Sequence, residues 1–233
     1  AVQGYAGTAK TTTVLATYAR VAERRGLAVT ALAPTASAAT VLGEALGEPG
    51  EPLLDGGLAR AEGDEARAHG LEVRHDLGDQ VEEALRLHRR IGAAAAREAT
   101  HEVLGLVGFP DPRAAYARYP FELSGGLRQR AVIAMALICD PALVIADEPT
   151  TALDVTVQAQ ILALLRSLQQ RLHTTVLLIT HDLGVVANMA DDVVVMHRGE
   201  VMEAAPLRSI FANPRHPYLK ALMAAVPRLD HEP

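Results

Sequence analysis

The sequence has one cysteine, no tryptophan and only 3% aromatic residues among its 233 residues. A lone cysteine forms neither an intrachain disulfide nor a metal centre built from several cysteines. Because Cys139 lies in an apolar run, we expect a buried, unreactive thiol. So few aromatic side chains give little surface for stacking the bases of single-stranded nucleic acid. The net charge of −6 also opposes binding to a phosphate backbone, so no direct nucleic-acid partner is expected.

Long apolar runs are absent as well. No stretch reaches the roughly 18–20 apolar residues that a membrane-spanning helix needs, so any membrane role would require a partner protein. The chain begins at Ala1, without Met, three residues before a Gly-rich loop, and we expect a truncated N-terminus. Its length fits one α/β domain with a smaller subdomain, or two small domains.

The second half of the sequence has clear secondary-structure patterns. Continuous apolar runs at 142–147 and 174–180 predict two central parallel strands, with a helix between them. A hairpin is expected with its turn at Arg198-Gly199, followed by two short helices separated by prolines. Helices are also expected over 79–90, 93–108 and 126–139.

The first half is less regular. We expect a helix over 10–25, a strand over 27–33 and a short helix over 36–46. Residues 47–75 are rich in Gly, Pro, Glu and Ala without a clean period, which predicts an irregular linker.

The Gly-rich segment GYAGTAKTT follows the short lead AVQ. It matches the phosphate-binding pattern G-x-x-x-x-G-K-[ST], except that Ala9 replaces the second Gly. Such a loop wraps backbone N–H groups around phosphates, while its Lys reaches the β/γ-phosphates and its hydroxyl holds Mg²⁺. Ala9 could strain the loop, and a degenerate turn before a helix is the alternative. The expected nucleotide ligands are Gly4, Gly7, Lys10, Thr11 and Thr12, with Thr11 also a metal ligand.

Two acids follow the apolar run ALVIAD. Asp147 and Glu148 would lie at the carboxyl edge of the sheet, where open α/β sheets bind ligands. There Asp147 would orient Mg²⁺, and Glu148 would act as general base on the attacking water. The alternative is a pair of solvated acids at a strand end.

Ser124, Gly125 and Gly126 precede a long predicted helix. Backbone N–H groups at a helix N-terminus attract phosphates, which predicts a second nucleotide-binding end. One chain has no obvious way to fold this end onto its own Gly-rich loop, so we expect it to cap a nucleotide held by a second subunit. A serine N-cap with flexible glycines is the alternative.

Three segments occur in the order LSGGLRQR, ALVIADEPTTALD and LLITHDLG. Together they resemble an ABC-type ATPase, as its signature motif, Walker B segment with D-loop, and switch-histidine segment. The resemblance implies that His181 senses the γ-phosphate, that Gln129 belongs to the nucleotide site beside the signature, and that Asp154 reaches across a dimer. It covers about residues 77–230. Within the family, DPALVIADEPTTALDVTVQAQILALL and NPRHPYLKALMAAVP resemble the dipeptide, oligopeptide and nickel importer branch.

This resemblance implies an α/β P-loop NTPase fold with a mostly parallel sheet and an inserted helical subdomain. It further implies ATP and Mg²⁺ as cofactors, a second ATPase subunit and transmembrane permease subunits as partners, and a peripheral place on the cytoplasmic face of the cell membrane. The expected function is ATP hydrolysis for import of peptides or related small solutes. The expected division is a P-loop segment (1–46), linker (47–75), helical subdomain (76–140), catalytic core (141–205) and C-terminal extension (206–233).

The N-terminal segment departs from that family. Residues 1–46, with GYAGTAKTTTVL and LAVTALAPTASAATVL, resemble instead the Walker A region of superfamily 1 helicases fused to conjugative relaxases. No Q-loop glutamine is found, since Gln80 matches a segment just beyond it. Two alternatives therefore stay open: a chimeric or truncated remnant that binds nucleotide weakly, and a DNA-dependent P-loop motor.

Overall fold

The computed structural model describes residues 75–151 and 153–225, together with the backbone of residues 2–3 and 29–32. A single 3-10 turn, Pro120–Glu122, lies between the third and fourth helices. The strands and helices in chain order are β1 Val2–Gln3, β2 Val29–Leu32, α1 Leu77–His88, α2 Ala93–Leu106, α3 Pro112–Tyr116, α4 Gly125–Leu137, β3 Leu143–Asp147, α5 Val155–Leu172, β4 Thr175–Thr180, α6 Leu183–Met189, β5 Asp192–His197, β6 Glu200–Pro206, α7 Leu207–Ala212 and α8 Pro217–Ala224.

Helices α1, α2 and α4 pack on one another and share a core. Leu85, Leu104 and Ile133 are almost completely buried there. Helix α1 begins at Leu77, after the N-cap residue Asp76, whose side chain accepts the backbone N–H of Asp79 at 2.8 Å and so caps the first turn. Apolar side chains at helical spacing thus bury one stripe of α1 and of α2, whereas α4 is buried on every side from Ala131 to Leu137.

A buried carboxylate lies within these helices. Glu82 on α1 is 1% exposed, accepts the Tyr116 hydroxyl at 2.7 Å and pairs with Arg86. Burial and this hydrogen bond raise the pKa of Tyr116 to about 12, so its hydroxyl keeps its proton. Gly78 packs directly against the same ring, since a Cβ there would lie 2.3 Å from it. The carboxylate is therefore satisfied by its neighbours, as a buried charge must be.

The six strands form one sheet in the order β2-β3-β4-β1-β5-β6. The first five run parallel, and β6 is antiparallel to β5. Val144, Ile145 and Ala146 in β3 are at most 2% exposed, which explains the unbroken apolar run in the sequence. Since β3, β4 and β1 are consecutive parallel strands, their carboxyl ends lie at the same edge of the sheet.

The hairpin and the last two helices form a second, smaller core. Arg198 and Gly199 both have positive φ, 51° and 84°, as a two-residue hairpin turn requires. Val193, Ile210 and Leu219 are at most 1% exposed where β5, α7 and α8 come together.

The expected strands, hairpin and later helices are confirmed within a few residues at their ends. The strand expected over 27–33 is present as β2, whereas the helices expected over 10–25 and 36–46 and the linker over 47–75 lie outside the described residues. Helix α6 was not expected. The lone Cys139 is half-buried, and burial raises the pKa of its thiol. Over residues 75–151 and 153–225, no helix is long and apolar enough to cross a bilayer.

Candidate nucleotide site

The carboxyl ends of strands β1, β3 and β4 meet at one edge of the sheet. Asp147 ends β3 and pairs in register with Ile179, while Thr180 at the end of β4 pairs with Gln3 at the end of β1. The Gly-rich segment starts at Gly4, one position beyond Gln3. The acidic pair and the carboxyl end of β1 therefore lie at the edge where open α/β sheets bind ligands.

Glu148 follows β3 in an uncommon backbone conformation. Its φ of 47° is in the left-handed region, which non-glycine residues adopt mainly where their surroundings hold them. Its N–H donates to the carbonyl of Ile179 at 2.8 Å. Its Oε1 lies 2.9 Å from Nδ1 of His181, and the two side chains are 20% and 62% exposed. An ionised Glu148 carboxylate can only accept, so it would pair with a His181 ring that carries a proton on Nδ1.

The segment after His181 is held by Asp182. The backbone N–H of Asp182 donates to the hydroxyl of Thr180 at 3.1 Å. Its carboxylate accepts the N–H groups of Gly184 at 2.7 Å and Val185 at 3.3 Å, which caps α6. The position of His181 beside Glu148 is thus set by β4 before it and by a capped helix after it.

The expected second nucleotide-binding end is the start of α4. Ser124 is the N-cap residue, and its hydroxyl accepts the N–H of Leu127 at 3.4 Å. Gly125 and Gly126 are the first two helical residues, where backbone N–H groups have no partner within the helix. The helix N-terminus is thus present as expected, and the N-cap alone also explains Ser124.

This helix start packs against the segment that precedes and begins α5. A Cβ at Gly126 would lie 2.8 Å from Cγ1 of Val157, closer than carbon atoms approach in folded proteins. A Cβ at Gly125 would lie 3.5 Å from Cδ2 of Leu153, an ordinary contact. Gly125 and Gly126 at the start of α4 therefore lie beside Leu153 and Val157 within one chain.

The profile of the family described as ABC transporter matches residues 3–151, which is more than half of the chain. This chain belongs to the ABC transporter family. A second profile, described as oligopeptide/dipeptide transporter, C-terminal region, matches residues 202–233. The expected family and branch are therefore confirmed.

Curated ABC relatives agree with this placement. The chain is 58% identical over 153 residues to the glutathione import ATP-binding protein GsiA of Pectobacterium atrosepticum, a match covering 66% of this chain and 25% of that protein. It is 54% identical over 154 residues to the dipeptide transport ATP-binding protein DppD of Bacillus subtilis, covering 66% of this chain and 46% of that protein. The chain thus spans less than half the length of these relatives.

A solved structure shares the fold. It is the dimeric post-hydrolysis state of the ATP-binding cassette MJ0796 bound to ADP and Pi, with 29% identity, a TM-score of 0.51 and 59% of each chain covered. The α/β P-loop NTPase fold expected from the sequence is confirmed.

The family match begins at residue 3 and so includes the Gly-rich segment and residues 47–75. The resemblance of residues 1–46 to helicases gains no support from it. Five expected nucleotide ligands lie outside the described residues, and their roles stay predictions: Gly4, Gly7, Lys10, Thr11 and Thr12.

Two residues assigned by the ABC resemblance have surroundings that the motif does not reveal. Gln129 is 2% exposed on the buried side of α4, and its amide nitrogen has no hydrogen-bond partner among the residues described. Asp154 caps α5, accepting the N–H of Val157 at 2.9 Å. Their roles at the nucleotide stay predictions.

The structure adds one residue that the sequence analysis missed. The hydroxyl of Thr151 donates to Oε2 of Glu148 at 3.0 Å. A hydroxyl residue three positions after an acid at a strand end is the only local signal, and it is common in ordinary turns.

Proposed function

We propose that this chain is the ATP-binding and ATP-hydrolysing subunit of an ABC importer for peptides or related small solutes. The contact between Glu148 and His181, beside Asp147 at the carboxyl edge of the sheet, carries the proposal. The solute class is supported by the C-terminal region match and by the glutathione and dipeptide importers to which the chain is similar.

Glu148 has the placement of a general base. Its carboxylate lies one residue beyond a buried strand, and its backbone and side chain are held by separate partners on β4 and His181. A general base must hold its acceptor oxygen within hydrogen-bond reach of the water it activates. A carboxylate has about four lone-pair sites, so bonds to neighbouring side chains still leave sites for a water proton.

Among the described residues, Asp147 is the candidate ligand for a metal ion. It is half-buried at the strand end, and a carboxylate oxygen suits Mg²⁺, which favours hard oxygen donors and substrate phosphates. Asp147 and Thr11 would hold this ion, which when bound offsets the negative charge of the phosphates.

Nucleotide binding would be shared between chains. Gly4, Gly7, Lys10, Thr11 and Thr12 would hold ATP within one subunit, and His181 would contact its γ-phosphate. Nε2 of His181 can donate to a phosphate oxygen only when the ring carries both protons, because Nδ1–H already faces Glu148.

The partner subunit would complete the site. Ser124, Gly125 and Gly126 at the start of α4, with Gln129 and Asp154, would face the nucleotide of a second ATPase subunit. The closeness of Gly125 to Leu153, the residue before Asp154, supports a shared surface for these residues. Permease subunits would carry the solute, with this chain bound peripherally at the cytoplasmic face of the membrane.

The test is ATP hydrolysis by the purified chain and its Glu148→Gln variant. Gln keeps the size of Glu but cannot accept the proton, so turnover should fall by about 10²-fold or more. MgATP affinity, measured by calorimetry, should be unchanged. Glu200→Gln, at an exposed position on edge strand β6, is the matched control and should keep full turnover. Unchanged turnover in Glu148→Gln would remove Glu148 from the reaction.

A further inference from the structure

The Glu148 carboxylate is held at both of its oxygens. Oε1 lies 2.9 Å from His181 Nδ1, and Oε2 accepts the Thr151 hydroxyl at 3.0 Å. His181 belongs to the family motif, whereas nothing in the family match assigns a role to Thr151.

A tight turn places Thr151 over the acid. The N–H of Thr151 donates to the carbonyl of Glu148 at 3.1 Å, which closes a turn of four residues. The left-handed φ of Glu148 starts this turn, and the hydrogen bond from its N–H to Ile179 fixes the turn on β4. Thr is branched at Cβ, so its χ1 has few allowed values and its hydroxyl direction is restricted.

Contacts on both oxygens orient the Glu148 carboxylate better than one contact would. The last torsion of a Glu side chain has a broad energy profile, so a single partner on Oε1 leaves the plane of the carboxylate poorly defined. A second partner on Oε2 fixes that plane. Because the Thr151 hydroxyl is neutral, it orients the carboxylate without supplying a competing charge.

We propose that Thr151 is a positioning residue for ATP hydrolysis, and that it orients the Glu148 carboxylate toward the attacking water. This inference rests on the proposed role of Glu148 as general base. Thr151 acts through Glu148 and does not itself contact the reacting atoms.

The alternative is that Thr151 only stabilises its turn. The side chain is exposed, so a change of similar shape is tolerated by the fold. Thr151→Val keeps the shape and removes the donor, whereas Thr151→Ser keeps the donor. A purely structural role would leave kcat unaffected in both variants once the protein is folded.

The experiment measures kcat and the KM for ATP in the full chain for Thr151→Val, Thr151→Ser, Glu148→Gln and the Glu148→Gln/Thr151→Val double variant. For Thr151→Val we expect kcat to fall by about tenfold, the equivalent of 1.4 kcal/mol, with KM within about twofold of wild type. Thr151→Ser should recover most of kcat. In the Glu148→Gln background, Thr151→Val should cause no further loss, since residues that act as a unit are not additive.

Wild-type kcat in Thr151→Val would overturn the inference, as would a rise in KM alone or an equal loss in Thr151→Ser. A further tenfold loss in the double variant would also overturn it, because Thr151 would then act independently of Glu148. Wild-type turnover in Glu148→Gln would instead overturn the proposed base itself. Urea unfolding of each variant separates these outcomes from a loss of folded protein.

Discussion

The two glycines at the start of α4 should differ when each is replaced by alanine. In Gly126→Ala the new Cβ would lie 2.8 Å from Cγ1 of Val157, about 0.7 Å short of a normal carbon contact. Val157 sits in the first turn of α5, where a valine side chain is held in one χ1 rotamer about 90% of the time. The clash therefore cannot be relieved by an inexpensive side-chain rotation, and either α4 or α5 must shift.

The expected cost follows from two opposing effects. Overpacking of this kind costs about 1–3 kcal/mol, while replacing a helical glycine by alanine gains up to about 1 kcal/mol. The two effects together span about 0–3 kcal/mol, and we expect Gly126→Ala to fall in the middle, lowering the free energy of unfolding by about 1–2 kcal/mol. With a urea slope near 3 kcal/mol/M, the midpoint should fall by roughly 0.3–0.7 M.

Urea unfolding of matched variants tests this reasoning. Gly125→Ala, whose Cβ would meet Leu153 at 3.5 Å, should stay within about 0.5 kcal/mol of wild type. In a Val157→Ala background, Gly126→Ala should be neutral or stabilising, because the clashing methyl groups are gone. Wild-type stability of Gly126→Ala, or no relief in the double variant, would refute the clash. Loss of ATP hydrolysis in a stable Gly125→Ala protein would mark that glycine as functional.

Two further predictions concern the helices and the dimer. Gly78→Ala should lower the free energy of unfolding in urea by about 2–4 kcal/mol, since its Cβ would lie 2.3 Å from the buried Tyr116 ring and would displace the Tyr116 hydroxyl from Glu82. Gly105→Ala is the control, because its Cβ would lie 3.5 Å from Cγ of Pro112, and it should raise the free energy of unfolding by up to about 1 kcal/mol. Equal effects of the two changes would contradict the packing argument. Ser124→Arg and Lys10→Ala chains should each be inactive alone, yet hydrolyse ATP when mixed, because one site of the heterodimer has both intact halves. Absence of recovery at every mixing ratio would rule out the two-chain site.

Much of the sheet could be predicted because its signals are local. The buried strand β3 is apolar at every position up to Asp147, and the Arg198-Gly199 turn needs only two adjacent residues with positive φ. Helix α6 could not be predicted in the same way. It has seven residues, too few for a clear apolar period, and it depends on the side-chain cap from Asp182.

The buried carboxylate of Glu82 and the steric need for Gly126 could not be predicted from the local sequence, for a different reason. Glu82 is a charged residue in an amphipathic sequence, and such residues normally face solvent. Its burial depends on Tyr116, 34 positions later, which donates to it. Likewise, Gly125 and Gly126 are equivalent in the motif, but Val157, 31 positions after Gly126, makes only Gly126 sterically necessary. No local pattern contains these distant partners.

The Glu148–His181 contact could be predicted only in part from the sequence. The sequence places each residue just after an apolar strand, yet their meeting requires that β3 and β4 be neighbours with a particular offset. The structure has Asp147 opposite Ile179, so the chain leaves β3 at the level of Thr180, next to His181. A shift of one residue in this pairing would reverse which side chains face which side of the sheet and would separate the two groups. The 2.9 Å contact is therefore a property of strand register, and changes that loosen β3 against β4 should impair hydrolysis without touching either side chain.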